Sequence, residues 1–148
     1  MNEFAPTEGA GADQAPEVTD VIAVAEFRAA LRQFLRRSER VARQSGLTPQ
    51  RHLLLLMIKG APNGDEQSTV TQLSERLQLA QSTVTELVRR AEEAGLIERT
   101  QSQRDARVAH LRLTPEGERR LMLSFTELET ERAQLRDAFA HLNETSSG

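Results

Sequence analysis

Two amphipathic helical stretches joined by a very short turn, then two short extended runs, leave this chain few folds to choose from. The first stretch carries Leu73 and Leu77 behind Thr71, a capping residue type, and Thr69-Val70 before it suits a very short strand. Leu79 and Ala80 supply the turn, and the second stretch opens at residue 81 as QSTVTELVRR. Thr83, Val84 and Thr85 are β-branched, which favours a strand. Spacing decides otherwise. On a helical wheel Val84, Leu87, Val88 and Ala91 fall in one stripe about 100° wide, and they do not share the single parity that a strand face requires. Ser82, Glu86, Arg89 and Glu93 take the opposite face, flanked by Thr85 and Arg90. After Gly95 come extended runs at residues 96–100 and 108–113. In the second, Ala109, Leu111 and Leu113 alternate with Val108, His110 and Arg112, as in a strand buried on one side. The polar QSQRDAR between them reads as a hairpin tip. A tight helix–turn–helix followed by a hairpin is a winged helix, so the expected class is mainly α (α+β).

The flanks read as helices. Val24, Phe27, Leu31, Phe34, Ser38 and Val41 recur at steps of three and four, with Gly46 as a stop. Thr48-Pro49 and Thr114-Pro115 both pair a capping residue with Pro at the first helical position, where its missing N–H does no harm. The first opens a helix carrying Leu53, Leu54, Met57 and Ile58 and ending at Gly60. The second opens one long final helix with a seam of Leu121, Phe125, Leu128, Arg132, Leu135, Phe139 and Leu142. A single helix lying on its own core would also produce such a seam. Matching seams at both ends favour a helical dimer interface formed by Val24, Phe27, Leu31, Phe34, Leu121, Phe125, Leu128, Arg132, Leu135 and Phe139. Expected boundaries are an arm at 1–18, a dimerisation helix at 19–46, a winged lobe at 47–114, a second dimerisation helix at 115–142 and a tail at 143–148. The arm is rich in Gly, Ala, Pro and acids, which predicts disorder.

The net charge of −3 looks wrong for a nucleic-acid binder until it is divided along the chain. Residues 1–19 carry four acids and no base, and residues 115–148 carry seven acids against four Arg. Residues 20–44 carry six Arg against three acids, and residues 45–114 carry nine bases against eight acids. A local basic surface in the middle is therefore compatible with the total. There is no Cys, and aromatics amount to 3%. No apolar run approaches the roughly 20 residues of a membrane span, and no signal-peptide pattern is visible. A cytoplasmic protein without membrane contact is expected.

The outward face of the second helix suits DNA. Hydroxyls and backbone N–H groups near a helix N-terminus fit phosphate oxygens, Arg fits guanine O6 and N7, and Glu accepts from cytosine N4. Candidate DNA contacts are Gln81, Ser82, Thr83, Thr85, Glu86, Arg89 and Arg90. At the wing tip, Arg104 and Arg107 suit a narrow minor groove, with Asp105 orienting an Arg. Two plainer readings stand beside these: Glu86 merely pairs with Arg89 or Arg90 at helical spacing, and the wing tip is a solvated turn. A winged helix used to bind another protein, without specific DNA binding, is the alternative function. Arg28, Arg32, Arg36 and Arg40 form a series expected to pair with Glu127 and Glu131 across a dimer. His52, His110 and His141 lack metal-binding spacing, so no metal or cofactor is expected. No nucleophile–base pair, phosphate-cradling loop or catalytic carboxylate pair is evident, so an enzyme is not expected.

LTPQRHLLLL at 47–56, LSERLQLAQSTVTELVRRAEEAGLIER at 73–99 and DARVAHLRLTPEG at 105–117 together resemble the MarR family of bacterial regulators. The resemblance spans roughly residues 27–139. It implies a homodimer with two winged lobes on a pseudo-palindromic double-stranded operator, and Asp105 and Arg107 as the family's wing pair. It further implies a repressor released by a small effector, such as an aromatic acid or phenol, from a pocket between helices and lobe. His52, near the start of its helix, is read first as satisfied polar packing, with lining of that pocket as the alternative. Three positions depart from the common pattern: Ala106 where a basic residue is frequent, Ala80 where Ser often caps, and Glu86 where Arg is frequent. With Ala80 in place, either Ser82 takes over the cap or the helix starts less firmly. The absence of Cys rules out the thiol-based peroxide sensors of the family.

Overall fold

The computed structural model describes residues 15–102 and 104–145. The expected arm falls largely outside the described residues, as does the end of the tail. Among the described residues the order is α1 (Val18–Gln44), α2 (Pro49–Lys59), β1 (Gln67–Ser68), α3 (Val70–Leu77), α4 (Gln81–Glu93), β2 (Ile97–Gln101), β3 (Ala109–Leu113), α5 (Pro115–Glu127) and α6 (Glu129–Thr145). The strands form an antiparallel sheet in the order β1-β3-β2, with Ile97 opposite Leu113 and Gln101 opposite Ala109. Ser68 faces Leu111, which ties the approach to α3 onto the wing.

Local chemistry explains most boundaries. Thr48 caps α2 by accepting from the Arg51 N–H at 3.2 Å, with Pro49 behind it. Thr114 caps α5 by accepting from the Gly117 N–H at 3.1 Å. The third helix is capped by Thr69 rather than Thr71: the Thr69 hydroxyl accepts from the Gln72 N–H, and the Gln72 side chain accepts from the Thr69 N–H. This capping box takes two otherwise unpaired donors at once, whereas Thr71 would take one. The short strand accordingly lies earlier, at Gln67–Ser68, not at Thr69-Val70. Gly46 and Gly95 end α1 and α4 at φ of 75° and 74°, a region that costs glycine little.

One core sits in the lobe. Leu54, Leu55 and Ile58 of α2 meet Leu73 of α3, Val84, Val88 and Ala91 of α4, and Leu96, Leu111 and Leu121. The stripe read from α4 is the buried one. On α2 the stripe is rotated: Leu53 is exposed and Leu55 buried.

The expected single terminal helix is two. The chain breaks at Leu128, with φ −99° and ψ 10°. Leu128 is buried, and the Arg132 guanidinium donates to the Phe125 carbonyl at the break. Arg132 thus serves an acceptor released from the helical ladder, while Leu128 gains burial. No Gly or Pro marks the spot.

The two seams meet inside one chain. Helix α1, about 40 Å long at 1.5 Å per residue, packs along α6, and the Phe27 and Phe139 rings lie 6.0 Å apart. Leu121 and Leu128 are buried against their own chain, which removes them from the surface expected to face a second copy. Leu31, Phe34 and Leu135 are half-buried, while Val24, Phe125 and Phe139 remain exposed. Arg132 stacks over the Phe125 ring at 3.6 Å. Glu131, expected to pair across a dimer with the Arg28 series, instead faces Arg37 of its own chain at 3.4 Å.

Candidate nucleic-acid interface

Burying Val84, Val88 and Ala91 turns the other side of α4 to solvent. Gln81, Ser82, Thr83, Thr85, Arg89 and Arg90 are all exposed on it, and Glu86 is half-exposed. Helix α4 is preceded by Ala80, whose methyl cannot accept a hydrogen bond, and no side chain caps it. Ser82 does not take over that role. The first-turn N–H groups of α4 are thereby left for an acceptor from outside, in contrast to the threonine-capped α2, α3 and α5. The Gln81 amide donates to Thr71 Oγ1 at 3.5 Å, a link back to α3.

Glu86 organises the arginines. Its Oε1 accepts from Arg89 Nη2 at 2.6 Å and from Arg90 Nε at 3.1 Å, while its Oε2 accepts from Arg89 Nε at 3.0 Å. Glu93 holds Arg89 from the next turn. Hydrogen bonds from Arg89 and then Arg90 hold the Glu86 carboxyl down at about 2, so it stays ionised across the physiological range. Of the two roles open to Glu86, the tether is the one this arrangement displays.

The wing tip is ordered by its own backbone. Asp105 Oδ1 accepts from the Arg107 N–H at 3.0 Å, and Ser102 Oγ accepts from the Arg104 N–H at 3.2 Å. The Arg107 side chain is 95% exposed, with its Nε 3.9 Å from Asp105. Arg104 and Asp105 are also exposed. At the wing's base Arg99 bonds Glu92 at 2.7 Å, which joins β2 to α4. Sequence reasoning missed Gln50. It lines a shallow groove with Ser82, Thr83, Glu86, Leu87 and Arg90. Its place in the first turn behind the Thr48-Pro49 cap was the available signal.

His52 lies apart from this face. It is buried and lines a cavity of about 220 Å³ with Phe34, Leu35, Leu53, Phe125, Leu128 and Arg132. Burial lowers its pKa below the ordinary 6.5. The folded state thus binds this proton less readily than the unfolded chain does. Stability is fully present above about pH 6.5 and falls as the pH drops below it. Urea midpoints at pH 7.5 and 5.5 should differ less in His52→Gln than in the parent. An equal pH dependence in both proteins would put the effect elsewhere. Among the described residues no cluster of potential metal ligands occurs, and no helix is long and apolar enough to cross a membrane.

Residues 45–108 match the sequence model of the MarR family. Among solved structures, a MarR family transcription regulator designated SP03579 shares 25% identity, with a TM-score of 0.65 over 86% of this chain and 82% of that one. FabT of Streptococcus pneumoniae, solved in complex with DNA, shares 28% identity with a TM-score of 0.54 over 62% and 61% of the two chains. MarR of E. coli, solved as a mutant complexed with operator DNA, shares the fold at 16% identity and a TM-score of 0.64, over 89% and 97%. No curated protein matches the sequence closely.

Proposed function

From a winged helix-turn-helix chain of the MarR family, we propose a homodimeric, sequence-specific DNA-binding transcriptional regulator, a repressor released by a small ligand. One observation carries the DNA reading: α4 has an uncapped N-terminus and an outward face of Ser82, Thr83, Thr85 and Arg90. Phosphate oxygens suit the free N–H groups, and base edges suit the side chains further along. The DNA complex of the similar FabT supports the same reading. On the wing, Arg107 is exposed and backed by Asp105, as a minor-groove contact needs. Arg107→Ala should weaken operator binding by about 1 kcal/mol, read by fluorescence anisotropy at fixed salt. Unchanged affinity would remove the wing from the interface.

Selection of genomic fragments by the purified protein tests the whole reading. The expected product is a two-fold symmetric site with half-sites about one helical turn apart. No enriched sequence would favour a protein-binding module instead. The hold of Glu86 and Glu93 on Arg89 is the observation on that side.

Dimerisation is supported by apolar side chains left in solvent. Val21, Ile22 and Val24 on α1, and Leu123 and Phe125 on α5, are each more than 40% exposed. Such a surface is costly in water and suits a second copy. Leu123→Glu should shift sedimentation from dimer to monomer at micromolar concentration, and an unchanged dimer would place the interface elsewhere. The His52 cavity is the proposed effector site. Its walls are mostly apolar, and Arg132 offers the charge that an aromatic acid would need.

A further inference from the structure

A second cavity, of about 620 Å³, lies between the C-terminal half of α1 and α6, and its chemistry differs from that of the His52 cavity. Arg36, Arg37, Arg40 and Arg43 line it from α1, and Glu131 and Gln134 from α6. With Glu39 also present, four guanidinium groups face two carboxylates, an excess of two positive charges. Among the described residues, Arg36, Arg40 and Arg43 have no carboxylate in salt-bridge range. Among the same residues, the buried side-chain polar atoms without a hydrogen-bond partner are Arg37 Nε and Glu131 Oε2, the two sides of one ion pair. Arg37 Nε keeps Glu131 Oε1 at 3.4 Å. The wall of the cavity thus holds a buried donor and acceptor paired by charge but without a formed hydrogen bond, a costly arrangement that a small shift toward an occupant would relieve.

That occupant must satisfy opposite needs. The arginines require an anion with several acceptor oxygens, and guanidinium forks fit phosphate in two-point fashion. A phosphate monoester carries nearly two negative charges at neutral pH, which matches the excess. Glu131 Oε2 requires a donor, which neither simple carboxylates nor the phosphodiesters of DNA supply. We propose that this cavity binds a phosphate monoester that also carries free hydroxyl groups, such as a sugar phosphate or the sugar-phosphate end of a nucleotide. The phosphate lies on Arg36, Arg37 and Arg40, and a hydroxyl donates to Glu131. The site does not depend on the DNA reading.

Calorimetric titration of the full chain with ribose 5-phosphate, inorganic phosphate and ribose tests it. Ribose 5-phosphate should bind at least about tenfold more tightly than inorganic phosphate, and ribose should not bind. The double variant Arg36→Gln/Arg40→Gln changes exposed side chains only and should abolish binding. Glu131→Met should bring ribose 5-phosphate down to the level of inorganic phosphate; if it fails to fold, the arginine variant still decides. Absence of ribose 5-phosphate binding, or binding retained in the double variant, overturns the proposal. Equal affinity for phosphate and ribose 5-phosphate overturns the assignment of Glu131. Loss of self-association in the arginine variant, with no ribose 5-phosphate bound by the parent, would make the cavity a face between copies and likewise overturn it.

Discussion

Gly117→Ala should destabilise the protein by about 3 kcal/mol, toward the upper end of what overpacking costs. An alanine in an ordinary helix does the opposite, stabilising by up to about 1 kcal/mol relative to glycine, so the sign alone is informative. Gly117 is in the first turn of α5, where a Cβ would stand 2.1 Å from the Leu96 carbonyl oxygen and 3.0 Å from its carbon. These are backbone atoms at a fully buried residue, and the same oxygen already accepts from the Thr114 N–H at 3.0 Å. Nothing there is the free end of a flexible side chain. Either α5 moves off the base of the wing or the Thr114 bond breaks. Urea unfolding measures the loss, and a midpoint equal to or above the parent's would show that α5 does not approach Leu96 so closely.

Glu86→Gln should raise affinity for duplex DNA on the order of tenfold at moderate salt, and steepen the salt dependence by roughly one unit for each phosphate newly engaged. The substitution removes a negative charge from the face of α4. It also releases Arg90, which Glu86 holds, together with one of the two holds on Arg89. Freed guanidinium groups can reach phosphates. If Glu86 instead accepts from a cytosine in the operator, the same change weakens operator binding and relaxes sequence preference at one position. Anisotropy titrations with operator and scrambled duplexes at several salt concentrations separate the two. A tether predicts tighter binding to both duplexes, and a reader predicts a loss on the operator alone.

The lobe is legible in the sequence because short-range chemistry marks it. The Thr48-Pro49 and Thr114-Pro115 starts, the α4 stripe and the alternation around Leu111 each follow from rules that act within a few residues. The α5–α6 break is not legible, since Leu128 and Arg132 fit an unbroken seam equally well and the turn depends on burial and on a carbonyl seven residues before Arg132. Spacing also places Leu121 on an apolar face without saying what covers it, and the lobe core of its own chain does. At Glu86, helical spacing allows two partners, and only side-chain geometry shows both engaged together. The arginine-lined cavity is hidden for a related reason. Arg36 and Arg40 are visible as a series, but the Arg37–Glu131 ion pair, with its unmade hydrogen bond, arises only when α6 folds back along α1.

The glycine contact at Leu96 also has a mechanical side. Thr114 Oγ1 donates to the Gly95 carbonyl at 2.6 Å, so the start of α5 and the foot of the hairpin share one pivot. From that pivot a five-residue strand reaches about 17 Å at 3.3 Å per residue. A tilt of α5 by about 10° would sweep the Arg107 end of the wing through an arc of roughly 3 Å, the length of a hydrogen bond. On the other side of the pivot α5, thirteen residues and about 20 Å long at 1.5 Å per residue, is an arm of similar length, so a displacement at its far end reaches the wing at comparable size, enough to make or break a contact.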